Sequence, residues 1–266
     1  MKFTKMHGAG NDYVYVNCFE ETVEDPAALA VKVSDRHFGI GSDGLILICP
    51  SDTCDVRMRM FNADGSEGKM CGNGSRCVGK FVYDHGIARK PEITLETLSG
   101  VKVLKIHDEG GVCTSVTVDM GEGRITGPVP ETIEVNGGTA EIIAVDVGNP
   151  HAVCYVESLE VLKNLDLPKI GPGYEHHPRF PEGVNTEFIY VESPEHLYMR
   201  VWERGSGETL ACGTGATASA LASMVSGRCN ETVRMTLIGG ELTISRAENG
   251  HLMMTGPAVE VFHGEI

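Results

Sequence analysis

Two stretches of this chain repeat one plan at a separation that one small domain does not span. Residues 58–86 read MRMFNADGSEGKMCGNGSRCVGKFVYDHG, and residues 199–227 read MRVWERGSGETLACGTGATASALASMVSG. Each opens as a Met-Arg strand, passes through a polar turn containing Gly-Ser, and reaches Cys-Gly-x-Gly at the start of a helical run. Cys71 stands fifteen residues before Gly86, and Cys212 fifteen before Gly227. Both glycines suit the position just past a helix, where the backbone turns left-handed. The recurrence 141 residues later implies two domains of similar plan. In the second copy ATASALASMVSG is small or apolar on nearly every side, which predicts a helix enclosed all round.

Around these units the chain reads as many short strands with few helices. FTKMHGAGNDYVYVN is a glycine-rich turn leading into a strand, and residues 26–36, PAALAVKVSDR, suit a helix with Pro26 near its start. GLILICP and residues 54–62 read as strands, and residues 93–121 as strands broken by Ser-Gly and Gly-Gly turns. Near Met120–Gly121 the pattern begins again. RITGPVP and ETIEVNGGTAEIIAVDVGNPHAVCYVE read as strands and hairpins, VESLEVLKNLDLPKIGP contains a short helix, and the tail returns to hairpins. The pattern is α+β rather than a regular βαβ alternation. At 266 residues the chain can hold two domains of roughly 100–150 residues each.

Composition narrows the function classes. A net charge of −15 with only 22 lysines and arginines opposes binding to a phosphate backbone, so no nucleic-acid partner is expected. No stretch approaches the roughly 20 apolar residues of a membrane span, and the start MKFTKMHGAGNDY lacks the apolar segment of a secretory signal. A cytoplasmic protein with no membrane partner is expected. The nine cysteines are odd in number and include no CxxC, so a disulfide framework is not expected. Cys71 and Cys77 are six apart and face different sides of one helix, with no histidine in register, so no metal is expected. Lys69 and Lys80 lie outside any recognisable phosphate cradle, so no pyridoxal cofactor is expected either.

The chemistry of Cys-Gly-x-Gly at a helix start is direct. Unpaired N–H groups and the positive end of the helix dipole stabilise a thiolate and attract an anion. The expectation is a thiol lowered by a unit or more from its usual value of about 8.5. Two such helix ends facing one carboxylate-bearing carbon would put a thiol on each face, an arrangement suited to removing a proton from one side and returning it on the other. Taken singly, each cysteine is more often a buried, inert thiol; the matched pair argues for chemistry.

Six motifs resemble the diaminopimelate epimerase family, in the family's order and over essentially the whole chain. They are KMHGAGNDY (5–13), FGIGSDGLILI (38–48), FNADGSEGKMCGNGSRC (61–77), VGNPHAV (147–153), GVNTEFI (183–189) and WERGSGETLACGTGA (202–216). The resemblance implies a cofactor-independent homodimeric isomerase interconverting LL- and meso-2,6-diaminoheptanedioate, in lysine and cell-wall precursor synthesis. It implies two domains, each a barrel-like, mostly antiparallel sheet wrapped around a central helix. Residues 1–117 with 255–266 would carry Cys71 and residues 118–254 would carry Cys212, with the site in the cleft between them.

Carried over residue by residue, the resemblance implies that Cys71 and Cys212 are the acid–base pair. The amides of Gly72, Asn73, Gly213 and Thr214 would hold the carboxylate at the reacting carbon. Asn11, Asn62, Asn149, Asn185 and Arg204 would hold the far amino-acid end. Glu203 and His151 would lie near the reacting centre, Glu203 on the substrate ammonium. A doubly zwitterionic substrate needs such a set, because asparagine offers donor and acceptor without charge and arginine grips a carboxylate in two places. Some members carry Gln where this chain has Gly44, so no side-chain contact is assigned there. Asn11 and Asn149 also sit in ordinary turn contexts, His151 could cap a strand, and Arg204 and Glu203 could form a surface ion pair. A proline or hydroxyproline racemase has a similar fold and paired cysteines, but a proline ring has no second zwitterionic end for the asparagines and Arg204. From a different class, a thiol redox or metal-binding protein would use Cys71 with Cys77 and tolerate Cys212→Ser.

Overall fold

Short β-branched and aromatic runs, punctuated by glycines at positive φ, give nineteen strands and five helices in the computed structural model, which describes residues 1–266. The chain divides into two units, Met1–Asp119 with Thr255–Ile266, and Met120–Met254.

In unit 1, β1 (Lys2–Gly8) pairs antiparallel with β2 (Asn11–Asn17), and the chain crosses through α1 (Pro26–Ser34) to β3 (Gly44–Cys49), parallel to β2. Next come β4 (Val56–Asn62), antiparallel to β3, and the two-residue β5 (Glu67–Gly68). A second crossover, α2 (Gly72–Asp84), leads to β6 (Glu92–Thr97), parallel to β4; β7 (Gly100–Glu109) and β8 (Val112–Asp119) complete the run.

Unit 2 adds β9 (Arg124–Ile125), β10 (Glu131–Val135), β11 (Gly138–Asp146) and β12 (Pro150–Tyr155). From β12 the chain crosses through α3 (Leu159–Asn164) and α4 (Leu167–Glu175) to the parallel β13 (Asn185–Ser193), then to the antiparallel β14 (His196–Glu203) and the short β15 (Gly207–Glu208). Helix α5 (Gly213–Val225) carries it to β16 (Thr232–Leu237), parallel to β14; β17 (Gly240–Arg246) and β18 (Leu252–Gly256) follow. Strand β19 (Val259–Glu265) belongs to unit 1 and pairs antiparallel with β1.

The orders β1-β2-β3-β4-β6-β7 and β11-β12-β13-β14-β16-β17 share one sequence of directions, antiparallel at the first, third and fifth joints and parallel at the second and fourth. Every parallel joint needs a crossover, and here the two crossovers of each unit lie on opposite sheet faces. Helix α2 packs on β1, β2, β7 and β8, and α5 on β11, β12, β13, β16 and β17, so each mixed sheet curls around its second crossover helix. The first crossovers cover the outer faces: Ala30 and Val33 of α1 join Val14, Val16, Leu45, Leu47 and Phe61, while Leu162 and Leu167 of α3 and α4 join Ala152, Cys154 and Phe188. Covered on both sides, β3 reads as an unbroken apolar run. Leu45–Ile48 are all at most 2% exposed, and each side chain contributes about 1.5–3 kcal/mol by burial.

The enclosed α5 bears out its composition: Gly215–Ser223 are buried throughout. Two of its hydroxyls are satisfied within the helix, Thr217 Oγ1 donating to the Gly213 carbonyl at 2.8 Å and Ser223 Oγ to the Ser219 carbonyl at 2.7 Å. Gly86 and Gly227 follow the two helices at φ +75° and +68°, as their placement predicted.

Three element readings change. The helix at 26–36 ends at Ser34, with Asp35 leaving the helix at ψ 121°. RITGPVP contributes only Arg124–Ile125 to a strand, since Pro128 and Pro130 offer no ladder N–H. The short helix in 156–172 is two helices, the first capped by Ser158, which accepts from Val161 N at 3.1 Å. No helix is long and apolar enough to cross a membrane.

Candidate active site

Both Cys-Gly-x-Gly cysteines are N-caps with extended backbone, Cys71 at φ −130° and Cys212 at φ −117°. Each sulfur accepts from the amide three residues on, Gly74 N to Cys71 Sγ and Gly215 N to Cys212 Sγ, at 3.3 Å in both. The second glycine of each motif sits in a tight space. A Cβ on Gly74 would lie 2.6 Å from Ile46 Cδ1, and one on Gly215 2.6 Å from Glu187 Oε1. The amides of Gly72, Asn73, Gly213 and Thr214 open the first helical turns, where no helical carbonyl serves them.

In unit 1 the Cys71 thiol donates to Asn11 Oδ1 at 3.3 Å, and Asn73 Nδ2 donates to the same oxygen at 3.3 Å. Asn11 is set by Asp43, whose Oδ2 accepts from Asn11 Nδ2 at 2.7 Å and which Arg36 holds at 2.8 Å. The Tyr13 phenol also bonds to Cys71 and Asn11; burial, then the neighbouring thiol and Asp43, push it well above its usual value. Asn62 stands apart from this cluster, exposed, donating to Ser66 Oγ at 2.9 Å. Gly44 has no room for a side chain, because a Cβ would collide with the Phe61 carbonyl and lie 2.8 Å from the Tyr13 ring. Cys77 is fully buried, and burial pushes its thiol up to about 11. Lys80 is tied to Asp84 and the Cys113 carbonyl, each at 2.7 Å.

In unit 2 a chain of contacts runs from the thiol to the core. Cys212 Sγ lies 3.4 Å from Thr214 Oγ1, Asn149 Nδ2 donates to Thr214 Oγ1 at 3.5 Å, and Asn149 Oδ1 faces His151 Nε2 at 3.0 Å. His151 Nδ1 bonds Glu187 Oε1 at 2.7 Å, both residues having no exposed surface. Glu203 carries two bonds, from the Thr209 hydroxyl and from the Cys212 thiol. Asn185 Oδ1 accepts from Arg204 N at 2.8 Å, and the exposed Arg204 side chain donates to the Glu182 carbonyl at 2.8 Å. Glu203 and Arg204 thus form no ion pair with each other, and His151 is buried between Asn149 and Glu187 rather than capping a strand.

The expected lowering of the thiol fails at Cys212. Burial, then the charges of Glu203 and Glu187, push it well above its usual value, against weaker help from Thr214 and the Gly215 amide. Burial also raises the Glu203 carboxyl. A helix N-terminus offers a fraction of a charge; two carboxylates in a desolvated pocket outweigh it.

Tyr13, Asp43 and Glu187 were not singled out from the sequence. Glu187 left one signal, a carboxylate inside the strand run NTEFI, where an apolar or hydroxyl side chain is the usual occupant.

The sequence model of the family described as diaminopimelate epimerase matches residues 3–126 and 143–261. The chain is 53% identical over 278 residues to diaminopimelate epimerase of Acetivibrio thermocellus, covering 100% of this chain and 98% of that one. It is 50% identical over 278 residues to diaminopimelate epimerase of Methanococcus maripaludis strain C6, covering 100% and 99%. Among solved structures it resembles a phenazine biosynthesis protein of the PhzF family from Bacillus anthracis, with TM-score 0.77 at 17% identity, covering 100% and 98%. It also resembles a hydroxyproline epimerase from Agrobacterium vitis with bound trans-4-OH-L-proline, TM-score 0.71 at 16% identity, covering 100% and 90%. At such identities these two structures show the fold alone.

Proposed function

The chain belongs to the diaminopimelate epimerase family, and on that premise we propose that it interconverts LL- and meso-2,6-diaminoheptanedioate with no cofactor, by two thiols acting on opposite faces of one α-carbon. The observation that carries the reading is the duplication of one device: an N-cap cysteine whose sulfur takes the third amide of its helix at 3.3 Å, built twice on sheets of identical strand order.

An amino-acid α-proton is very weakly acidic, so the developing charge must be met where it appears, on the substrate carboxylate. The first-turn amides of α2 and α5 supply donors there without reorganisation. One sulfur must be thiolate while the other is thiol. Cys212, bonded to Glu203 and pushed up by burial, is the proton donor in the resting form, and Cys71, whose sulfur takes the Gly74 amide and meets the Tyr13 phenol, is the base. The roles exchange for the other stereoisomer. Glu203 can take the substrate ammonium, and Asn62, Asn149, Asn185 and the exposed Arg204 suit the second amino-acid end. Asn11, on the Cys71 thiol, serves the reacting end as readily as the far one. The family resemblance also supports a cytoplasmic homodimer, which sedimentation of the purified chain would test.

The deciding experiment is turnover of LL-diaminopimelate in deuterated water. Deuterium should enter the α-carbon as meso product forms, and Cys71→Ser or Cys212→Ser should each remove most of the activity. Product forming with its α-hydrogen unexchanged would refute two-base chemistry, and turnover of proline in its place would point to the racemase alternative.

A further inference from the structure

The two thiol devices share a scaffold but differ in what stands behind them. In unit 1 the register pairs Tyr13 with Gly44 and Tyr15 with Ile46 across the parallel joint. In unit 2 it pairs His151 with Asn185 and Val153 with Glu187. Across the next, antiparallel joint Ile46 opposes Met60 and Glu187 opposes Val201, which occupy the same place in the repeated Met-Arg strands. Tyr13 therefore corresponds to His151, and Ile46 to Glu187. The glycine contacts agree independently, for Ile46 fills the space over Gly74 as Glu187 fills it over Gly215. Where the fold needs only an aliphatic side chain, unit 2 keeps a carboxylate with no exposed surface.

A buried carboxylate is costly unless it is bonded and paired. Glu187 has one such partner, His151 Nδ1 at 2.7 Å, and its second oxygen has no protein donor. The other ionisable groups around it are Glu203 on β14, Cys212 at the start of α5 and Cys154 on β12, none of which offers a positive charge. A structural role alone would be met as well by isoleucine.

We propose that Glu187 is the positioning residue of the Cys212 half of the site: it holds His151 by Nδ1 so that Nε2 faces Asn149, and thereby orients the Asn149–Thr214–Cys212 chain for proton transfer. The Glu187 carboxylate accepts from Nδ1–H and Asn149 Oδ1 accepts from Nε2–H, so both ring nitrogens donate and the imidazole is held from both sides. Glu187 makes no hydrogen bond to the Cys212 sulfur; it acts through His151.

The test has a kinetic arm, which rests on the epimerase reading, and a spectroscopic arm, which does not. Glu187→Gln should lower kcat about 10- to 100-fold, the worth of a hydrogen bond to a charged group, with KM changed by less than about threefold, and Glu187→Asp should recover part of the loss. Nitrogen-15 spectra of the substrate-free wild type should show a slowly exchanging Nδ1 proton on His151, lost in Glu187→Ile. Retention of kcat within about threefold in folded Glu187→Gln and Glu187→Ile would overturn the proposal. So would a wild-type His151 without a proton on Nδ1, a result available even if the isoleucine variant fails to fold. If the wild type turns over no diaminopimelate, the proposed function falls and the spectra alone judge Glu187.

Discussion

Alanine at Gly215 and alanine at Gly74 are the same substitution at the same turn of two matching helices, yet they should differ in effect. At Gly74 the new methyl would lie 2.6 Å from Ile46 Cδ1, with Cys71 Cβ and Sγ at 3.4 and 3.6 Å. At Gly215 it would lie 2.6 Å from Glu187 Oε1, with Cys212 Cβ and Sγ both at 3.2 Å. The helix-propensity gain of glycine to alanine, about 1 kcal/mol, is common to both and cancels. Ile46 yields by turning the end of an aliphatic chain, at about 0.5–1.5 kcal/mol. Glu187 Oε1 must retreat by about 0.5–1 Å to ordinary contact distance, which stretches its 2.7 Å bond to His151 beyond the useful range. A hydrogen bond to a charged group is worth about 1.5–3 kcal/mol. Converted at about 1.4 kcal/mol per decade, Gly215→Ala should lose roughly 10- to 150-fold in kcat/KM and Gly74→Ala roughly two- to tenfold. The assay is initial-rate epimerisation of LL-diaminopimelate, with urea unfolding of both variants to confirm a folded state. If Gly74→Ala is as impaired as Gly215→Ala while both remain folded, the unequal roles assigned to Ile46 and Glu187 are wrong.

Hydrogen bonding from Cys18, aided by Arg59 and Arg57, brings Cys49 down to about 7, while burial holds Cys113 and Cys229 at about 11 and Cys154 at about 12. Iodoacetamide near neutral pH should therefore modify Cys49 ahead of Cys18, Cys113, Cys154 and Cys229; peptide mapping that finds Cys113 or Cys229 modified first would contradict this. Burial works to raise the Asp12 carboxyl, but Arg36 at 2.9 Å and Lys5 at 2.5 Å outweigh it and hold it below its usual value. The stability this contributes is complete above an ordinary aspartate value of about 3.9 and disappears as pH falls through the lowered folded value. Urea midpoints at about pH 6 and about pH 3 should accordingly differ less in Asp12→Asn than in wild type; an equal difference would remove Asp12 from the acid response. A Cβ on Gly171 of α4 would collide with the Trp202 indole, which donates to Glu175 at 2.8 Å. Gly171→Ala should cost about 1–3 kcal/mol in urea unfolding, and an unchanged midpoint would show that the indole moves freely.

The sequence revealed what is local. The duplicated helices, their cysteine caps and their glycine ends depend on residues within one turn of each other, and the small-residue composition of α5 announced its enclosure. What stayed hidden depends on partners brought by topology. Glu187 and Glu203 reach Cys212 from two other strands, so the rise of that thiol could not be read from CGTG. The LPKIGPGYE segment looks like a broken helix end because of its two prolines and two glycines, but Trp202 against Gly171 and the buried Leu167 and Tyr174 hold it as α4. Tertiary packing overrides local preference there.

Strand β1 is synthesised before unit 2 and pairs with β19, which is synthesised after it; Met1 N and Ile266 N each donate to the other residue's carbonyl, at 2.7 and 3.0 Å. All of unit 2 is synthesised between them. During translation unit 2 can complete its sheet while unit 1 still presents one edge of β1 with its backbone donors and acceptors unmet, the kind of edge that invites pairing with another chain. A long-range closure of this kind is slow to form. The nascent protein is therefore most exposed to aggregation after its second unit has folded and before the seven residues of β19 have emerged.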